Sequence, residues 1–128
     1  MARDMKKADA LKFVKQAEEF LAAAMESFES GRYNAATFNA IQSMLNANDA
    51  ATIYHLGQRA SSDHREALTL HANVAKIVKD ISQKSRLSQA FDLRSDAGYG
   101  GDVMIDSDAE KAIKNASRFL DWVKEKIK

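Results

Sequence analysis

Three groups of side chains in this 128-residue chain have the types and spacing to do chemistry. The first is Arg59-Ala60-Ser61-Ser62-Asp63-His64, an Arg-x4-His arrangement. An imidazole titrates near neutral pH and can take the proton of a ribose 2′-hydroxyl, while a guanidinium stabilises charge building on the phosphate. Such a pair can cut RNA without a metal. The bland alternative is a loop cation beside a first-turn histidine, and so short a spacing arises readily by chance. The second group is Arg94-Ser95-Asp96-Ala97-Gly98-Tyr99. Arg94 falls beside the apolar positions Leu87, Ala90 and Phe91, and a buried Arg needs a partner, for which Asp49 or a helix C-terminus is available. A structural ion pair is the simpler reading of this corner. As a binding set the residues are Asp49, Arg94, Asp96 and Tyr99, and Asp49, His64, Arg94 and Tyr99 are expected to line one cleft. The third group is the basic scatter Lys76, Lys79, Lys84 and Arg86, interleaved with Asp80 and Asp92, which reads as a solvated face.

The elements that must position these groups are helices. The chain has no Pro and only five Gly, where β-rich domains spend both on turns. Its length suits a single domain over residues 1–128. Hydrophobic residues make up 45% and charged residues 29%, a globular composition with a net charge of +1. That balance is not the footprint of a nucleic-acid coat protein. The absence of Cys excludes disulfides, thiolate metal sites and a Cys nucleophile. The longest apolar run, Phe20 to Met25, is far too short to span a membrane, and no signal-peptide core follows the first residues, so a cytoplasmic location is expected.

Glycines at 31, 57, 98, 100 and 101 punctuate a three-to-four-residue apolar rhythm. The spacing predicts a first helix over 9–30 with a core stripe of Ala10, Val14, Ala17, Leu21, Ala24, Met25 and Phe28. A second helix is predicted over 33–56. Between Gly31 and Gly57 the only formal charges are Arg32 and Asp49. A helix that is polar but uncharged is buried on several sides, either at the centre of a bundle or against a second copy of the chain. A third helix is expected from Asp63, with Asp63 and Glu66 at capping-box spacing, followed by Leu68, His71, Ala75 and Val78. A break falls between Asp80 and Ser85. A fourth helix carries Leu87, Ala90, Phe91 and Arg94, and an exposed glycine-rich loop runs from Gly98 to Asp106. The last helix is expected to open on a Ser107/Glu110 capping box and to bury Ala109, Ala112, Ile113, Ala116, Phe119, Leu120, Val123 and Ile127. The sum is an all-α, mostly antiparallel bundle of five helices.

Several chemistries lack their residues. None of His55, His64 or His71 has Glu or Asp three positions before it, as a di-iron bundle requires. There is no HExxH and no P-loop, and Gly98-Tyr99-Gly100-Gly101 lacks the Lys of a phosphate cradle. No metal and no cofactor are expected.

Taken in order along nearly the whole chain, these stretches resemble the HEPN family, the higher eukaryotes and prokaryotes nucleotide-binding domain. The resemblance is carried by Ala17-Glu18-Glu19-Phe20-Leu21-Ala22-Ala23-Ala24 and Gly31-Arg32-Tyr33-Asn34-Ala35-Ala36. It continues through Asn46-Ala47-Asn48-Asp49-Ala50, Asp63-His64-Arg65, Leu93-Arg94-Ser95-Asp96-Ala97-Gly98-Tyr99 and Ala116-Ser117-Arg118-Phe119-Leu120. It implies an up-and-down helical bundle that forms a homodimer. Many members are metal-independent ribonucleases, often toxins, with an Arg-x4-6-His motif. Others bind RNA, nucleotide or a protein partner, and many are encoded beside a minimal nucleotidyltransferase that modifies a Tyr near the motif. By spacing, Arg59 and His64 match the motif. By position along the chain, Arg94 stands in the place of its Arg and Tyr99 in the place of its His.

The leading expectation is therefore a nucleotide- or RNA-associated binding module, paired with a nucleotidyltransferase-like partner in a toxin-antitoxin-type system. A metal-independent ribonuclease toxin using Arg59 and His64 is the alternative from another class. A purely structural dimerisation domain is the third.

Overall fold

The computed structural model describes residues 2–60, 64–98 and 100–128, with Ser95 described by its backbone alone. Asp63, the expected cap, and Tyr99 lie outside the described residues. Five α-helices follow one another: α1 (Ala10–Glu29), α2 (Tyr33–Leu56), α3 (His64–Val78), α4 (Lys84–Gly98) and α5 (Asp106–Lys126).

The bundle is built around α2. Gly57 ends this helix in the left-handed conformation at φ 67°, and its N–H reaches the Ile53 carbonyl at 2.9 Å. Thirteen of its 24 residues are buried, including Thr37, Ser43, Asn46, Asn48 and Thr52. The helix packs most extensively on α1 and α5, and touches α4 and α3 as well. Contacts within one chain thus account for its lack of charges; no second copy is required to explain them.

Small side chains form the seam among α1, α2 and α5. Ala24, Ala40, Ala112 and Ala116 cluster there, and the Ser43 hydroxyl donates to the Ala17 carbonyl at 2.6 Å. Close backbones leave a narrow stripe on α1. Ala10, Val14, Ala17 and Ala24 are buried, whereas Met25, expected in the core, is 53% exposed. Met25 follows Ala24 by a single residue, a rotation of about 100° around the helix, which carries it off the seam.

α5 buries Ala109, Ala112, Ala116, Phe119, Leu120, Trp122 and Val123. Its start differs from expectation. The cap is at Ile105, and Asp108 reaches back to the Ile105 N–H at 3.0 Å, so Ser107 and Glu110 already lie inside the helix. A carboxylate three residues on satisfies the same orphan donor as the expected Glu would, and Asp106 and Asp108 favour the positive end of the helix dipole.

The expected break between the third and fourth helices spans residues 79–83. Lys79 turns the chain at φ 58°, and the Asp80 N–H returns to the Ala75 carbonyl at 3.0 Å. The loop after α4 is tied down by Asn34. Its amide donates to the carbonyls of Ala97 at 3.0 Å and Asp102 at 2.6 Å, and accepts from the Met104 N–H at 2.9 Å. Most of that loop is exposed as expected, but Met104 is buried.

Two short strands escaped the sequence reading. β1 (Arg3–Asp4) pairs antiparallel with β2 (Gln58–Arg59), with Arg3 opposite Arg59. The Met5 N–H continues the pairing to the Gly57 carbonyl at 2.8 Å. Two residues show no alternation to read. The segment before α1 thereby straps the end of α2 and the Arg59 strand together. Among the described residues no helix is long and apolar enough to cross a membrane.

Candidate functional site

A cavity of about 240 Å³ opens between α2 and the start of α3, closed on its far side by α4. Asp49, Arg59, His64 and Arg94 all line it. Of the residues expected to share a cleft, the structure thus brings together all but Tyr99, which lies outside the described residues. Asp96 is exposed on α4 and is not among the lining residues. Lys76, Lys79 and Lys84 are exposed, and Arg86 donates to Gln83 at 2.9 Å.

Each lining group has a distinct local cause. Asp49 sits on α2, where its neighbours Asn48 and Ala50 are buried. Desolvation pushes its carboxyl up to about 6, against the pull of Arg59. The Arg59 Nε donates to Asp49 Oδ2 at 3.0 Å, and its guanidinium lies 4.6 Å from the centre of the Phe13 ring. β2 holds the Arg59 backbone, so this cation is fixed at both ends. His64 opens α3, is exposed, and stacks on Phe91 of α4 at 4.2 Å between ring centres.

Arg94 departs from expectation. Asp49, one of its two expected partners (the other a helix C-terminus), is already paired with Arg59. The Arg94 guanidinium instead lies 5.6 Å from the Phe38 ring centre, and among the described residues its buried Nε has no hydrogen-bond partner. The same ring explains Gly98, because a Cβ there would meet Phe38 at 2.5 Å. Residue 98 must be small for α4 to end where it does. Buried polar groups are normally satisfied, so an orphaned guanidinium nitrogen beside a cavity calls for an explanation.

Sequence reasoning missed Gln42, Leu45, Asn48, Ala60, Ala67 and Phe91 as lining residues. Asn48 carried a signal, as one of the polar residues on a helix stripped of charge. The stack of His64 on Phe91 carried none, since the residues are 27 positions apart. Among the described residues no group of His, Asp and Glu could hold a metal ion.

Two arginines, a histidine and a carboxylate thus line one small cavity of an all-α bundle. The chain matches the family model of the HEPN domain over residues 10–126, from the first residue of α1 to the last of α5, and belongs to that family. At family level it is thus a nucleotide- or RNA-related module. No curated protein matches it.

Proposed function

We propose that this HEPN domain is a binding module that takes a phosphoryl group of a nucleotide or RNA strand into the cavity between α2, α3 and α4. The observation that carries the reading is Arg94, a cation on the cavity wall whose guanidinium has no anionic partner among the described residues. An oxyanion would supply one. Arg59 is already neutralised by Asp49, so the net attraction for an anion falls to Arg94, with the imidazole face of His64 available for stacking. At about 240 Å³ the cavity is smaller than the several hundred Å³ that usually enclose a whole small-molecule ligand. It therefore suits the phosphate end of a nucleotide, with the rest outside. The module works as a homodimer beside a nucleotidyltransferase-like partner, an arrangement that rests on family membership, since HEPN domains often dimerise.

The second reading, a metal-independent ribonuclease, is favoured by one observation: Arg59 and His64 line the same cavity. One experiment separates the two. Wild type, Arg59→Ala, His64→Ala and Arg94→Ala are incubated with RNA without metal, and 2′,3′-cyclic phosphate ends are measured alongside RNA retention. The binding module retains RNA uncut and loses retention with Arg94→Ala. Cleavage that disappears with Arg59→Ala and His64→Ala establishes the ribonuclease instead.

A further inference from the structure

Asn48 is only 2% exposed, yet it lines the cavity. Behind it, wholly buried, lies His71 of α3, with its Nδ1 3.0 Å from Asn48 Oδ1. An amide oxygen can only accept, so the ring nitrogen donates and Nδ1 carries the hydrogen. Burial pushes the His71 pKa down to about 4, so the ring is neutral and Nε2 is left with a bare lone pair. Among the described residues that nitrogen has no partner. The ring faces Phe119 and Trp122, at 5.8 and 5.6 Å between centres, which offer it no proton to accept. The opposite tautomer would bury an orphan N–H, the rarer defect in folded proteins.

The consequence falls on the other half of the Asn48 amide. Oδ1 is occupied, and among the described residues the Nδ2 group has no acceptor. We infer that His71 is a positioning residue: by engaging Oδ1 it turns the Asn48 NH2 into the cavity as a neutral donor that works with Arg94 on the same oxyanion. The flipped amide would present an oxygen, which repels a phosphate. The pair makes the cavity select a group with at least two acceptor oxygens. This inference rests on the cavity being a phosphoryl site.

The test is ¹⁵N NMR on the full chain titrated with inorganic phosphate and with adenosine 5′-monophosphate, using adenosine as the control without phosphate. The expected result is a neutral His71 ring protonated on Nδ1, and Asn48 side-chain NH2 peaks that shift with both phosphates and not with adenosine. Asn48→Asp, which keeps the size but reverses the polarity, should weaken phosphate binding at least tenfold, with thermal melting used to check that the variant remains folded. His71→Gln keeps a donor toward Oδ1 and should retain binding that His71→Leu loses. Phosphate that perturbs the Arg94 signals while the Asn48 NH2 stays silent, or a His71 ring protonated on Nε2, overturns the inference and leaves the phosphate site standing. A wild type in which phosphate moves neither Arg94 nor Asn48 overturns both.

Discussion

The two flanks of α2 follow opposite rules. Toward α1 and α5 it offers Ala40 and Ser43, the backbones come close, and the Ser43 hydroxyl finds the Ala17 carbonyl. Toward α3 and α4 it offers Gln42, Asn48 and Asp49, and the space is left open. Burying polar groups without partners weakens a fold by roughly 1–3 kcal/mol each. A bundle can tolerate that on one flank because the other is dry and closely packed. Stability and binding are divided across a single helix, and substitutions on the two flanks should fail in different ways.

The largest loss of stability belongs to Phe119, which is fully buried on α5 against His71 and Trp122. Phe119→Ala should destabilise the domain by about 3–5 kcal/mol in chemical denaturation, since the hole it leaves cannot collapse onto two rings. Arg94→Gln is the matched change on the open flank. It removes a partly buried cation whose Nε has no partner among the described residues, so stability should hold or rise while affinity for adenosine 5′-monophosphate falls tenfold or more. Equal losses of stability from the two substitutions would break the division.

The next effect is one of pH, and it sets two buried groups against each other. Asp49 is raised from 3.8 to about 6, so the unfolded chain loses this proton first and stability falls as pH rises through that window. His71 is lowered from 6.5 to about 4, so the unfolded chain gains a proton first and stability falls as pH drops from 6.5 toward 4. The windows overlap and the signs oppose, each on the order of 2–3 kcal/mol. The wild type should therefore change little between pH 4.5 and 6.5. Asp49→Asn leaves His71 unopposed and should lose stability on acidification, whereas His71→Gln leaves Asp49 unopposed and should gain it. Denaturation of all three proteins at the two pH values checks this, and parallel curves would show that burial sets neither proton.

The fold was largely legible because its boundaries are local. Gly31 and Gly57 bracket α2, and the stripe of α5 reads directly from Ala109 to Val123. The site was legible only as far as single residues go. Asp49, Arg59, His64 and Arg94 stand out by type, and the structure brings them to one cavity. Their pairing did not follow. Asp49 is one of two partners the sequence offers Arg94, the other being a helix C-terminus, yet β2, held by a two-residue strand partner, delivers Arg59 to Asp49 first. The Asn48–His71 bond joins residues 23 apart on different helices, and neither position advertises it. Periodicity shows which face is buried; it does not show which polar atoms meet there.

Trp122 gives the smallest test, at the opposite end of the same buried cluster from the cavity. Its indole N–H donates to Asp80 Oδ2 at 2.9 Å, while Asp80 Oδ1 accepts from the Ser82 N–H at 2.9 Å. These bonds, led by Ser82, hold the Asp80 carboxyl well below the usual carboxylate range. Its contribution is therefore present above about pH 4 and fades only in stronger acid. Asn offers one oxygen where Asp offers two, so Asp80→Asn can keep the Ser82 bond or the Trp122 bond, but not both. The expected loss is about 1 kcal/mol, one hydrogen bond at a partly exposed corner, with a shift in Trp122 fluorescence. Phosphate affinity should not change, because Asp80 and Trp122 are not among the residues lining the cavity. If it did change, the His71 ring, which touches Trp122 and is hydrogen-bonded to Asn48, would be transmitting the disturbance to Asn48. The flanks of α2 would then be coupled rather than divided.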